Sequence, residues 1–172
     1  MKKIYYWSPH ISKVATIKNV LNSAIALSKY SKKKINVSII DVFGEWKSLK
    51  NSTDFDKINL IKLSNLDFSK YLPISGFLKG RIFYTLIFFF KTLRLKKILI
   101  KDKPDYLIIH LITFIPLMLL LNNKFQTNFV LRISGLPKLN FLRKFLWKIV
   151  SKKIHLVTCP SEQTRIFIQQ QN

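Results

Sequence analysis

Short apolar runs alternate with amphipathic stretches along the whole chain. Lys3 to Trp7 reads as a strand, and Thr16 to Tyr30 places Ile17, Val20, Leu21, Ala24 and Ile25 on one helical face. Val37 to Ile40, closed by Asp41, is a β-branched second strand, and Leu60 to Leu63 a weaker third. A long helical segment from Phe77 to Lys101 ends at the punctuation Pro104-Asp105. Then come a strand from Tyr106 to Leu111, a helix from Thr113 to Leu121 and a strand from Phe129 to Ile133. A helix from Leu139 to Lys152, a strand from His155 to Thr158 and a helix starting near Ser161 complete the order.

Continuously apolar strands separated by helices imply a mostly parallel sheet covered on both faces, a doubly wound, Rossmann-like α/β domain. In such sheets ligands sit beyond the C-terminal strand ends. The residues predicted there are Ser8, Pro9 and His10 after the first strand, Asp41 after the second, and His110 near the end of the fourth. Ser134 and Gly135 follow the fifth, and Pro160 and Ser161 the sixth, with Ser161 placed to cap the last helix.

Tyr106 to Asn123 is the longest uncharged stretch, but it carries His110 and Pro116 and divides into a buried strand and a buried helix, so it predicts no membrane span. The apolar block Ile82 to Phe90 runs into Lys91, Arg94, Lys97 and Lys101, which share one helical face. This predicts either an interfacial helix on an anionic membrane or a core helix with a solvated basic end. Leu142, Phe145, Leu146, Ile149 and Val150, opposed by Lys144, Lys148 and Lys152, repeat the arrangement.

The length of 172 residues suits one domain, and 48% hydrophobic residues predict an ordered core. Thirty Lys and Arg against eight Asp and Glu give a formal charge of +22, which favours an anionic partner or reflects a lysine-rich genome composition. Cys159, the single cysteine, rules out an intrachain disulfide and sits in an apolar run, where a small packed residue is expected rather than a nucleophile. The N-terminal apolar run, Ile4 to Trp7, is too short for a signal peptide, which predicts a cytoplasmic protein. Asp54-Phe55-Asp56 has the spacing of a metal-binding acid pair but lacks the apolar strand that should precede it, so no metal and no cofactor are expected. No recognition helix or RNA-binding aromatic signature stands out, and no nucleic-acid partner is expected.

The order of elements, with Trp7-Ser8-Pro9-His10, Leu131-Arg132-Ile133-Ser134-Gly135-Leu136-Pro137 and Val157-Thr158-Cys159-Pro160-Ser161-Glu162 at strand ends, resembles the N-terminal domain of GT-B glycosyltransferases of family 4. The resemblance spans Lys3 to about Ile168. It implies the acceptor-side half of a retaining, metal-independent enzyme that uses a nucleotide sugar and glycosylates a lipid-linked or cell-surface glycan precursor. His110 would face the transferred sugar as the candidate catalytic residue. Ser8, His10, Ser12, Lys13 and Thr16 would line the cleft from the first loop, and Ser134 and Gly135 from the far wall.

Two departures qualify what is carried over. The first loop lacks the family's glycine pair, which brings backbone close to phosphate oxygens. The family's second domain holds the donor with two closely spaced glutamates, whereas Glu45 and Glu162 are the only glutamates here and lie far apart. The chain over residues 1–172 is therefore expected to be one half of an enzyme, with the donor-binding domain absent from it and nucleotide sugar reaching it through a missing or separate C-terminal domain. An enzymatic variant is the acceptor-binding and membrane-recruiting subunit of a split glycosyltransferase, and the different-class alternative is a noncatalytic basic module that binds membrane or nucleic acid.

Overall fold

The computed structural model describes residues 1–9, 15–32, 34–47, 58–65, 77–110, 114–121 and 125–171. Six strands, β1 (Lys2–Trp7), β2 (Ile35–Asp41), β3 (Asn59–Lys62), β4 (Tyr106–His110), β5 (Asn128–Arg132) and β6 (Leu156–Thr158), form one sheet in the order β3-β2-β1-β4-β5-β6. Every pairing is parallel. The helices are α1 (Ala15–Tyr30), α2 (Phe77–Asp102), α3 (Phe114–Leu121), α4 (Phe141–Val150) and α5 (Glu162–Gln169). This is the doubly wound α/β domain that the alternating pattern predicts, with strand boundaries moved by one or two residues. The stretch from Tyr106 divides as read, into β4 and α3, and among the described residues no helix is long and apolar enough to cross a membrane.

Strand alternation assigns each side chain to one of two cores. Tyr5, Trp7, Ile40, Leu107, Ile109, Phe129 and Leu131 pack against Leu95 and Leu99 of α2, Leu117 and Leu120 of α3, and Leu146, Trp147 and Val150 of α4. On the opposite face Ile4, Tyr6, Val37 and Ile39 pack against Ile17, Val20, Leu21 and Ala24 of α1. Trp7, Trp46 and Trp147 are all fully buried, and each such ring removes on the order of 200 Å² from water. Beyond α1 the second face continues over β4, β5 and β6 with Ile108 and Val130 only half-buried and Leu156 exposed.

Two polar ties fix the frame. Asp105 accepts the Lys3 backbone N–H at 2.7 Å, and Asp102 accepts the Tyr5 hydroxyl at 3.0 Å, which joins β1 to the turn leading into β4. Burial, reinforced by Asp102, pushes the Tyr5 hydroxyl up to about 12. At the end of β2 the Glu45 carboxylate accepts the Val42 N–H at 3.0 Å and the Phe43 N–H at 2.8 Å, while Asp41 accepts the Gly44 N–H at 2.8 Å. Gly44 holds φ of 98°, the left-handed conformation that such a tight turn assigns to glycine. Burial, then a shared hydrogen bond and like charge with Asp41, raise Glu45 well above the ordinary carboxylate range.

The predicted amphipathic helices present their faces differently from the pattern. On α2, Leu95 and Leu99 face the core, while Leu86, Phe89, Phe90, Leu93 and Ile100 are exposed. Lys97 and Lys101 are exposed, Lys91 is half-buried, and the exposed Arg94 donates to the Leu63 carbonyl at 3.0 Å. On α4 only Leu146, Trp147 and Val150 are buried. Phe141, Leu142, Phe145 and Ile149 form a second, exposed apolar strip beside Lys144, Lys148 and Lys152.

Candidate functional site

The strand order reverses between β1 and β4, which opens a crevice at their C-terminal ends. A cavity of about 510 Å³ lies there on the α1 face, lined by Tyr6 of β1, Asn19 and Ser23 of α1, His110 of β4 and Arg132 of β5. Ser134, Thr158 and Cys159 complete its rim. Its size suits a small molecule or part of a glycan.

Register explains the composition of the lining. Tyr6 pairs with Ile108 and His110 with Arg132, so Tyr6, Ile108, His110, Val130 and Arg132 project from one face in adjoining rows. The Tyr6 hydroxyl and Ser23 Oγ lie 3.0 Å apart, and Arg132 donates to Ser23 Oγ at 3.2 Å. The Tyr6 ring stacks on the His110 imidazole with centroids 6.2 Å apart. His110 is 5% exposed, and its Nε2 has no hydrogen-bond partner among the described residues. Burial first, and the Arg132 charge second, lower its pKa to about 4, so the ring is neutral near pH 7.

A neutral imidazole, a guanidinium, hydroxyls and an aromatic ring can hydrogen-bond and stack on a polyol. Among the described residues no carboxylate lines the cavity. With its pKa near 4, His110 is poorly matched to general-base work at neutral pH, and its chemistry there is hydrogen bonding.

Of the residues predicted from sequence, His110, Ser134 and Pro160 line the cavity. Ser8 is buried at the end of β1 and is absent from the lining. Gly135 lies beyond Ser134, exposed, with open space where a side chain would stand, so no close backbone approach within the chain requires glycine there. Thr16 is the second residue of α1, its side chain undescribed, while His10, Ser12 and Lys13 lie outside the described residues, as do Asp54 and Asp56. Tyr6, Ser23 and Arg132 were not singled out from sequence, although Arg132 is the one charge inside an otherwise apolar strand core.

The remaining candidates have structural roles. Ser161 caps α5, its Oγ accepting the Thr164 N–H at 3.3 Å. Cys159 is half-buried, and burial raises its thiol pKa against the opposing pull of Arg165, which keeps it protonated. Glu162 pairs with Arg165 on the exposed surface of α5, and Glu45 is committed to the turn after β2, so neither glutamate lines the cavity.

Known structures share this architecture. The chain superposes on a structure described as "lipopolysaccharide outer core galactosyltransferase WaaB apo form" with TM-score 0.57 and 12% identity, over 100% of this chain and 43% of that one. It also superposes on the UDP-GlcNAc 2-epimerase from Methanocaldococcus jannaschii, with TM-score 0.50 and 15% identity, over 99% of this chain and 42% of that one. The fold is that of a Rossmann-like GT-B domain. The chain spans less than half the length of either protein. No protein-family model matches the sequence, and no curated protein matches it.

Proposed function

We propose that this chain is the acceptor-binding half of a glycosyltransferase that moves a sugar from a nucleotide sugar to a glycan. The observation that carries the reading is the cavity at the β1–β4 crevice, where a buried, neutral His110, its Nε2 unpartnered among the described residues, lies beside Arg132, Ser23 and Tyr6. The GT-B architecture shared with a galactosyltransferase and a UDP-sugar epimerase supports sugar chemistry at that position. His110 hydrogen-bonds a sugar hydroxyl in this reading and does not shuttle protons. Donor binding belongs to a second domain, because both glutamates of this chain are engaged elsewhere. Retention of anomeric configuration and independence from metal follow from the family 4 resemblance.

Membrane association forms part of the proposal. The exposed strips on α2 and α4 belong to helices on the same face of the sheet, and lysines flank both. An anionic bilayer fits apolar strips rimmed by cations. The cavity opens on the other face, so a lipid-linked acceptor would reach it around the C-terminal edge of the sheet.

The test of the site is His110→Ala in the assembly of this chain with a donor-binding domain. Loss of a buried hydrogen bond to the acceptor should lower kcat/KM for acceptor by roughly tenfold. An unchanged kcat/KM for acceptor would return His110 to the core.

A further inference from the structure

Arg132 is a half-buried cation on the wall of a cavity that, among the described residues, no carboxylate lines. A guanidinium carries five N–H donors, and among the described residues this one makes a single hydrogen bond, to Ser23 Oγ. The same Ser23 hydroxyl meets Tyr6, so that chain of contacts supplies orientation without a counter-charge. Exposed lysines elsewhere on the chain are compensated by water; a guanidinium withdrawn into a cavity is compensated less, and its planar fork fits a carboxylate or phosphate with two parallel bonds.

His110 gives the second, independent observation. It stands directly abreast of Arg132 on the neighbouring strand, is 5% exposed and lines the same cavity, and its buried Nε2 has no partner among the described residues. An oxyanion held by the guanidinium and hydrogen-bonded by this ring would satisfy both groups at once. A neutral polyol would satisfy the ring but leave the cation uncompensated.

We propose that the cavity recognises an anionic group on the acceptor, a carboxylate or a phosphate, with Arg132 as its counter-ion and the His110 imidazole as a second hydrogen-bonding group. This rests on the reading of the cavity as the acceptor site. The Tyr6 ring, stacked on His110, bounds the pocket on the β1 side, so the group enters from the C-terminal edge, between Ser134 and Thr158.

The experiment follows the ring nitrogens of His110 by two-dimensional NMR while the 172-residue chain is titrated, at moderate salt, with three probes. These are methyl glucuronide for a carboxylate, inorganic pyrophosphate for a phosphate, and methyl glucoside for a neutral sugar. Saturable shifts with methyl glucuronide or with pyrophosphate identify which anion is read, and the bound anion should raise the pKa of the ring. Arg132→Gln should weaken that binding by roughly tenfold or more, Arg132→Lys by less, and Lys148→Gln on α4 not at all. Anion shifts that do not saturate, or that persist unchanged in both Arg132 variants, overturn the proposal. If methyl glucoside alone saturates, the anion inference fails and the acceptor site stands; if no probe moves His110, both fail.

Discussion

Acidification should destabilise this domain through His110, and the size of the effect can be worked from its surroundings. The ring is 5% exposed, and burial with the neighbouring Arg132 charge lowers its pKa from 6.5 to about 4. The unfolded chain therefore binds a proton across that interval that the folded chain refuses. For a group whose folded pKa is depressed, the contribution to stability is complete above pH 6.5 and is lost as pH falls toward 4. The full shift corresponds to on the order of 3 kcal/mol, a sizeable part of the roughly 5–15 kcal/mol typical of a folded domain. Urea unfolding of wild type and His110→Gln at several pH values isolates the term, because every other titrating group cancels in the difference. The wild-type advantage should shrink by about 1.4 kcal/mol per pH unit at its steepest. Parallel profiles for the two proteins, or a ring that titrates near its ordinary value by NMR, would refute the reasoning.

Glu45 should act with the opposite sign. Its folded pKa is raised, so its contribution is present below the ordinary carboxylate pKa and lost as pH rises through the raised value; Glu45→Gln should flatten that decline, and thermal melts that fall equally with pH in both proteins would contradict it. Ser161→Ala should cost about 1 kcal/mol and speed amide exchange at the start of α5, because Thr164 N–H loses its cap; unchanged exchange would show that the cap contributes nothing. Phe141 is 90% exposed and Phe145 56%, so replacing both with Ser should leave the unfolding midpoint nearly unchanged while reducing co-sedimentation with anionic phosphatidylserine vesicles; undiminished pelleting would exclude α4 as the contact.

The alternation of apolar runs made the architecture legible, since strands buried on both faces are written as continuous Val, Ile and Leu, and β1, β2, β4 and β5 lie where those runs do. Strand order is not written locally, because pairing of β1 with β4 joins segments about a hundred residues apart. The site was partly legible for the same reason. His110 and Ser134 stand at strand ends, which topology alone marks as the ligand edge. Tyr6 and Arg132 read as ordinary strand residues until register aligns them with Ile108 and His110, although a lone arginine within Phe129 to Ile133 was a usable signal. On α4, helical spacing merged two apolar strips into one, because Leu142, Phe145 and Ile149 lie within a third of a turn or so of the buried Leu146 and Val150.

The proposed division of labour between this acceptor-binding half and a separate donor-binding domain is tested most directly by a glycan-array screen of wild type and His110→Ala, paired with titration of the wild-type chain by UDP-sugars at moderate salt. The account predicts a set of glycans retained by wild type and lost by the variant, with no saturable UDP-sugar binding. Micromolar UDP-sugar binding by this chain alone, or an array that does not distinguish the two proteins, would contradict it.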